Sequence, residues 1–357
     1  MADSPKKLGD YRHWYHFLRR SETVPGGPLY INIEPTNACN LKCSVCSTDG
    51  TRRRGYMDLD LFRRLVDEAR DSGVQKIALF LAGEPLLHKD IAYMVRYVVE
   101  RGMEARIRTN ATMLTPEKSE ALLDAGLDFL GISFDGDNKQ DYEAIRVGAD
   151  YDHVLENVFN FLRLKKQKGL AKPFVSLQMI KLVENPKQGI DSRFVEQFAG
   201  LPIDEFSPIN PHNWRGEKDD IEQRERGRNY FPCQFLWSAL SVAWDGKVVC
   251  CADLNGQHAL GDVTKQTLEE IWNGEPFRRH RRLLKEGRNR DLSLCADCHA
   301  VWYYGNPRLF ILSHLPPFEQ LKKGFRRIHR PRQTYMELLQ KTEEESRREA
   351  DLKEIEA

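Results

Sequence analysis

The stretch EPTNACNLKCSVCSTDG, residues 34–50, places Cys39, Cys43 and Cys46 in one short polar segment directly after the strand-like run PLYINI. Three thiols are one short of a closed tetrahedral metal site. They are also too close in sequence to make a sensible disulfide framework. Outward from this segment, short β-branched runs alternate with apolar residues at helical spacing, and glycine closes one helix after another. LYINI, QKIALFLAG, EARIRTN, LDFLGISFDG, FVSLQMI and IDEFSPIN read as strands. MDLDLFRRLVDEARDSG, DIAYMVRYVVERG, PEKSEALLDAG, YDHVLENVFNFLRLKKQKG and SRFVEQFAG read as helices. Six βα-type units in series imply a parallel sheet, which right-handed crossovers curve into a full or partial barrel. Such barrels place their chemistry at the C-terminal ends of the strands. The cysteine segment, AGEP, RTNAT and SFDG all fall at such ends.

Bulk properties narrow the function. The chain has 357 residues, 41% of them apolar, which supports a real core, and a formal net charge of +1, which gives no global attraction to nucleic acid. The N-terminal residues lack the apolar core of a signal peptide, and no apolar run approaches the roughly 20 residues of a membrane span. The expectation is a soluble, cytoplasmic protein that neither binds nucleic acid nor spans a membrane. In the reducing cytosol its eight cysteines read as metal or redox ligands.

Three thiolates can hold a 4Fe–4S cluster by three irons, leaving the fourth open to a small molecule. A zinc site completed by a distant ligand is the alternative. The spacing C-x3-C-x2-C in CNLKCSVC resembles the signature of the radical SAM superfamily, with Val45 at a position that is often aromatic there. The resemblance implies a cluster on Cys39, Cys43 and Cys46 whose open iron takes S-adenosylmethionine (SAM). It further implies formation of a 5′-deoxyadenosyl radical. LAGEPLLH is similar to the family's Gly-Gly-Glu-Pro element, with Ala82 for the first glycine, and makes Glu84 the candidate for the methionine amino group. Asn110 in RTNAT, Ser133 in ISFDG and Arg146 in YEAIRVG complete the implied SAM set. Ser133 is placed near the ribose, and Arg146 at the methionine carboxylate through a charge-assisted bond. Taken singly, Glu84 or Asp135 reads equally well as a loop carboxylate or helix cap.

After about residue 215 the alternation stops. GEKDDIEQRERGRN reads as a charged linker, SALSVAWDGKVVCC as a hairpin on an Asp-Gly turn, and QTLEEIWNGEPFRRHRRLLKEG as helical. Cys233, Cys251, Cys295 and Cys298 resemble the ligands of a shortened, single-cluster SPASM/twitch module, implying an auxiliary 4Fe–4S cluster closed by four thiolates. A structural zinc on the same sulfurs is the alternative. Cys250 is left over. If its segment is a strand, it points away from Cys251 and is either a buried thiol or a hydrogen-atom donor. Asp253 is the candidate for removing a substrate hydroxyl proton.

The expected fold class is thus α/β: a partial (β/α)6 radical SAM barrel followed by a small hairpin-plus-helix cluster domain of twitch/SPASM type. Expected divisions are an N-terminal leader over 1–28, the barrel over 29–215, the auxiliary module over 216–305 and a charged helical extension over 306–357. The resemblance, which reaches members similar to 2-deoxy-scyllo-inosamine dehydrogenase, implies dehydrogenation of a polar sugar- or cyclitol-like molecule. The auxiliary cluster would accept an electron, and a flavodoxin- or ferredoxin-type protein would supply reducing electrons. The rivals are peptide maturation, redox-neutral epimerisation through Cys250, and a non-catalytic iron–sulfur electron carrier.

Three further features have two readings each. Arg52–Arg54 either grip a substrate anion or form a solvated charge run. His212, Asn213 and Trp214 either line a sugar site or cover a domain junction. The basic helix expected over 318–332 either docks on its own domain or lies on a membrane surface or acidic partner.

Overall fold

The computed structural model describes residues 5–48, 50–180, 190–209, 229–251, 253, 255–256 and 258–303. They form two compact units. The first holds the chain up to Asn40, Cys46–Ile107 and the described residues from Asn229 onward; the second holds Leu41–Val45 and the described residues from Arg108 to Pro211. The candidates at 212–214 and the charged helical extension expected over 306–357, with its basic helix at 318–332, lie outside the described residues.

The first unit opens with helix α1 (Pro5–Leu18), strand β1 (Tyr30–Ile33), α2 (Leu59–Asp71), β2 (Lys76–Ala78), α3 (Ile91–Glu100) and β3 (Glu104–Thr109), which runs on into the second unit. The stretch expected to be a leader is anchored: Phe17 of α1 is buried against Phe231 and Trp237, ring centroids 5.4 and 5.5 Å away. Asp58 caps α2 by accepting from the Asp60 and Leu61 amides, and Gly73 leaves the helix at φ +79°. Phe62, Leu65, Val66 and Ala69 form its buried face. Each large apolar side chain there contributes about 1.5–3 kcal/mol, so the stripe outweighs the cap, worth about 1 kcal/mol. β2 is shorter than the apolar run 75–83 suggests, because the chain leaves the sheet after Ala78 and turns at Gly83.

The second unit continues with α4 (Pro116–Asp124), β4 (Phe129–Ser133), α5 (Lys139–Ile145), α6 (Tyr151–Gln167), β5 (Phe174–Ile180), α7 (Ser192–Glu196) and β6 (Glu205–Ile209). β4, β5 and β6 pair in parallel, with Gly131 opposite Ser176 and Leu177 opposite Phe206. Helix α5, capped by Asn138, was not anticipated from the sequence; at seven residues it is too short to show a helical period.

The chain then returns to the first unit through β7 (Asn229–Tyr230), α8 (Phe235–Ser238), β8 (Ala239–Val242), β9 (Lys247–Val249), β10 (Ala259–Asp262), α9 (Leu268–Trp272), α10 (Glu275–Lys285) and β11 (Trp302–Tyr303). Strand order in this unit is β10-β9-β8-β1-β2-β3, parallel from β8 to β3 and antiparallel from β8 to β10. The architecture is mixed α/β with a parallel-sheet core, as expected for a partial (β/α)6 barrel carrying a C-terminal cluster module. None of the described helices is long and apolar enough to cross a membrane.

Candidate functional site

In the first unit the cysteine segment is fastened through Glu34, the residue after β1. Glu34 is fully buried and accepts from both terminal nitrogens of Arg52 at 3.0 and 2.8 Å. It also accepts from the amides of Ala82 (3.3 Å) and Trp244 (3.0 Å). One carboxylate thus joins the end of the cysteine segment, the turn after β2 and the β8–β9 hairpin. Arg52 belongs to this ion pair, which neither reading of the TRRRG run foresaw; Arg53 and Arg54 are exposed. A Cβ on Gly55 would meet the Trp244 ring at 2.3–2.4 Å, so only glycine lets the chain pass. Gly83, at φ +75°, is pressed so closely on the backbone of Thr36–Ala38 that a Cβ would sit 2.5–2.7 Å from it. Next to it, the buried carboxylate of Glu84 accepts from the Leu86 amide at 3.0 Å. The Cys46 sulfur lies 3.1 Å from the Thr48 hydroxyl.

The second unit holds Cys43. The backbone on either side of it is clamped to the end of α5, with Lys42 N–H donating to Val147 O and Ser44 N–H to Ile145 O, both at 2.9 Å. Arg146 Nη1 lies 3.6 Å from the Cys43 sulfur, and Nη2 is paired with Asp135. Asp135 is buried and accepts the Ile180 amide at 2.6 Å. Burial pushes its carboxyl pKa up, and Arg146 opposes the rise. Two buried donors here, Arg146 Nε and the Tyr142 hydroxyl, have no hydrogen-bond partner among the described residues. Asn110 is buried at the end of β3, its side-chain oxygen accepting from the Thr112 amide and hydroxyl. Ser133, half-buried, is the last residue of β4.

Back in the first unit, the structure gathers more cysteine than the spacing suggested. Cys233 lies within electrostatic reach of Cys251, Cys295 and Cys298, and Cys250 within reach of Cys233, Cys251 and Cys295. The Cys233 thiol is pushed up by burial and then by Cys251, and the Cys250 thiol by its hydrogen bond with Cys295 and then by burial. Strand β9 ends at Val249, and Cys251 adopts φ +50°, so the alternation of an extended strand does not separate Cys250 from Cys251. Asp253 is buried and accepts the His258 amide at 2.9 Å. Within the same unit, Asn255 Nδ2 donates to Ser47 O at 3.2 Å, tying that loop to the segment after Cys46.

Residues 33–171 match the radical SAM superfamily, and residues 233–299 match the SPASM iron–sulfur cluster-binding domain. The chain carries a radical SAM domain followed by a SPASM domain. A tungsten-containing aldehyde ferredoxin oxidoreductase cofactor-modifying protein from Pyrococcus furiosus is 26% identical over 318 residues, covering 75% of this chain and 86% of the relative. Among solved structures, BtrN in complex with AdoMet and 2-DOIA aligns with a TM-score of 0.51 at 20% identity, over 76% of this chain and 92% of that one. Streptococcus suis SuiB bound to precursor peptide SuiA aligns with a TM-score of 0.62 at 17% identity, over 82% and 75% respectively. At these identities the solved structures speak to the fold alone.

A radical SAM domain takes a 4Fe–4S cluster and SAM, and a SPASM domain takes auxiliary iron–sulfur chemistry. The residues present fit those groups. Buried thiols that disfavour one another as anions are relieved when a polynuclear cation shares their charge. Arg146 Nε offers a buried N–H with nothing yet to donate to, which suits a carboxylate. Among the described residues no three His, Cys, Asp or Glu side chains are placed to hold a single metal ion. The ligand assignments therefore rest on the motifs and on these environments. If Arg146 receives the SAM carboxylate, Arg146→Ala should weaken SAM binding by about 1.5–3 kcal/mol, the scale of a charged hydrogen bond. Equilibrium binding to the reconstituted protein checks this, and an unchanged Kd removes the assignment.

Proposed function

We propose that this radical SAM enzyme oxidises a carbon bearing oxygen in a polar, sugar- or cyclitol-like small molecule. Cys39, Cys43 and Cys46 would hold the first cluster, with Glu84, Asn110, Ser133 and Arg146 around SAM. When bound, these groups would supply a 5′-deoxyadenosyl radical able to take one hydrogen atom, and Cys233, Cys251, Cys295 and Cys298 would hold an auxiliary centre able to accept the remaining electron. The observation that carries the reading is the cysteine cluster of the first unit, which offers the half-buried Cys233, Cys251, Cys295 and Cys298 with the buried Cys250 beside them. A donor set that fills every iron leaves no position for substrate, which supports a role in electron acceptance or in framing the pocket, and oxidation uses the first of these. That the chain covers 92% of a protein solved with AdoMet and 2-DOIA supports the size of the arrangement. Asp253 would take the hydroxyl proton, since losing it makes a carbon radical easier to oxidise. A ferredoxin- or flavodoxin-type donor would supply the electron that starts each turnover.

Peptide modification is the second reading, supported by the alignment with SuiB bound to its precursor peptide. Epimerisation through Cys250 is less favoured, because that thiol is bonded to Cys295, one of the four residues assigned to the auxiliary centre.

The deciding experiment is Cys295→Ala, assayed anaerobically against a panel of cyclitols, sugars and peptides. Deoxyadenosine release should continue while oxidised product fails to accumulate. In heavy water the wild-type product should be two hydrogens lighter and carry no solvent deuterium at carbon. A product carrying one deuterium at the reacting carbon, lost in Cys250→Ala, would sink the dehydrogenase reading.

A further inference from the structure

In the first unit, the exposed segment after the cysteine loop carries charge that the fold leaves unpaired. Arg53, Arg54 and Tyr56 are exposed, Tyr56 by 52%, yet their backbone is clamped. Asn37 grips it twice, Nδ2 donating to Arg53 O and Oδ1 accepting the Gly55 amide, each at 2.9 Å. The Thr36 hydroxyl donates to Gly55 O at 2.6 Å, and Thr36 pairs with Tyr56 in an isolated bridge. Asn37 stands two positions before Cys39, so the segment is fastened beside the first of the three cysteines. The Tyr56 ring meets His88 edge to face at 5.9 Å, which brings in exposed Lys89 and, on α3, exposed Tyr93 and Arg96.

Arg53, Arg54, Lys89 and Arg96 have no ion-pair partner among the described residues. Other arginines of the same unit do: Arg70 with Asp71, Arg101 with Asp67, Arg282 with Glu22 and Arg288 with Asp291. The carboxylates close in sequence are engaged or outnumbered. Asp58 accepts two amides of α2, Asp60 pairs with Arg63, and half-buried Asp90 is set against four cations. A charge run is ordinarily a solvated surface. This one is clamped, uncompensated and accompanied by two exposed tyrosines, and arginine with tyrosine is the composition enriched where proteins meet.

We propose that Arg53, Arg54 and Lys89, together with Tyr56 and Tyr93, form the docking surface for an acidic electron-donor protein of the flavodoxin type. The inference rests on the reading that such a donor starts each turnover. Unpaired cations steer an acidic face to encounter and fix its register, and the exposed rings add apolar contact area. The charge excess selects a negatively charged partner. The position selects a redox partner, because a donor seated here meets the chain next to Cys39. The donor loses one electron, and the centre that Cys39 helps to hold gains it.

Arg53→Glu/Arg54→Glu and, separately, Lys89→Glu test this in the full-length protein reconstituted anaerobically with iron and sulfide. Two quantities are measured: the Kd for flavodoxin by calorimetry at low ionic strength, and deoxyadenosine release driven by reduced flavodoxin or by dithionite. The double variant should bind flavodoxin about tenfold more weakly and release deoxyadenosine more slowly with it, while the dithionite-driven rate stays close to that of the wild type. Lys89→Glu should move both quantities in the same direction, and added salt should shrink the differences from the wild type. Wild-type affinity for flavodoxin in either variant overturns the inference. So does an equal loss of rate with dithionite, since the cations would then serve the site itself. Tighter binding of single-stranded RNA than of flavodoxin by the wild type overturns it as well. Failure of the underlying reading would look different: flavodoxin would neither bind nor reduce the wild-type protein, while dithionite still would.

Discussion

Replacing Cys39, Cys43 and Cys46 together with alanine is expected to leave the anaerobically reconstituted protein with about four irons instead of about eight, and with no SAM cleavage. On the proposed assignment seven cysteines divide into a three-ligand and a four-ligand set, and only the three-ligand set would leave an iron open. The three targets share one loop. By contrast Cys233, Cys251, Cys295 and Cys298 belong to the cysteine cluster of the first unit, which the substitutions do not touch. Iron and sulfide analysis, with deoxyadenosine measured after chemical reduction, checks both halves. Stoichiometric zinc without iron in anaerobically purified protein would overturn the assignment, as would full iron content in the triple variant.

Arg52→Met is expected to destabilise the first unit by about 3–5 kcal/mol. The substitution leaves the Glu34 carboxylate fully buried, still accepting the Ala82 and Trp244 amides, but with no cation beside it. Breaking one side of a buried pair strands a charge, whereas removing both sides does not. The double variant Glu34→Gln/Arg52→Met should therefore recover much of the loss, a coupling that a double-mutant cycle reads directly. Chemical denaturation of the cluster-free protein is the measurement. If Arg52→Met costs less than about 1 kcal/mol, the pair behaves as an ordinary surface contact and the hub role of Glu34 is wrong. Because Ala82 directly precedes the Gly83–Glu84 turn, SAM affinity should fall with stability in Arg52→Met and return with it in the double variant.

The chemistry was legible because it is written in residue types at short spacing. C-x3-C-x2-C, Gly83–Glu84–Pro85 and the Cys295–Cys298 pair are local patterns, and a strand end can be located from local periodicity. The strands and most of the helices were equally local. The capped, amphipathic α2 announces itself through Asp58, its apolar stripe and Gly73. α5 did not, because two turns are too few to establish a period, and the tertiary setting of Asp135, Tyr142 and Arg146 is what gives that short helix its value.

What the sequence by itself determined was therefore the class of protein: the strand–helix alternation, the cysteine sets and the candidate SAM residues. Only the tertiary structure decided which charges and thiols share an environment. Arg52 looked like part of a charge run, but it pairs with Glu34, 18 positions away in sequence. Cys250 looked like the odd thiol on the far side of a strand, but β9 ends one residue too early and Cys251 turns at φ +50°. Arg146 reaches Cys43 across 103 positions. The reason is physical. Periodicity and capping act over one or two turns of chain, whereas the partner of a buried charge or thiol is set by the need to satisfy it wherever the fold brings a donor, an acceptor or a counter-charge within reach.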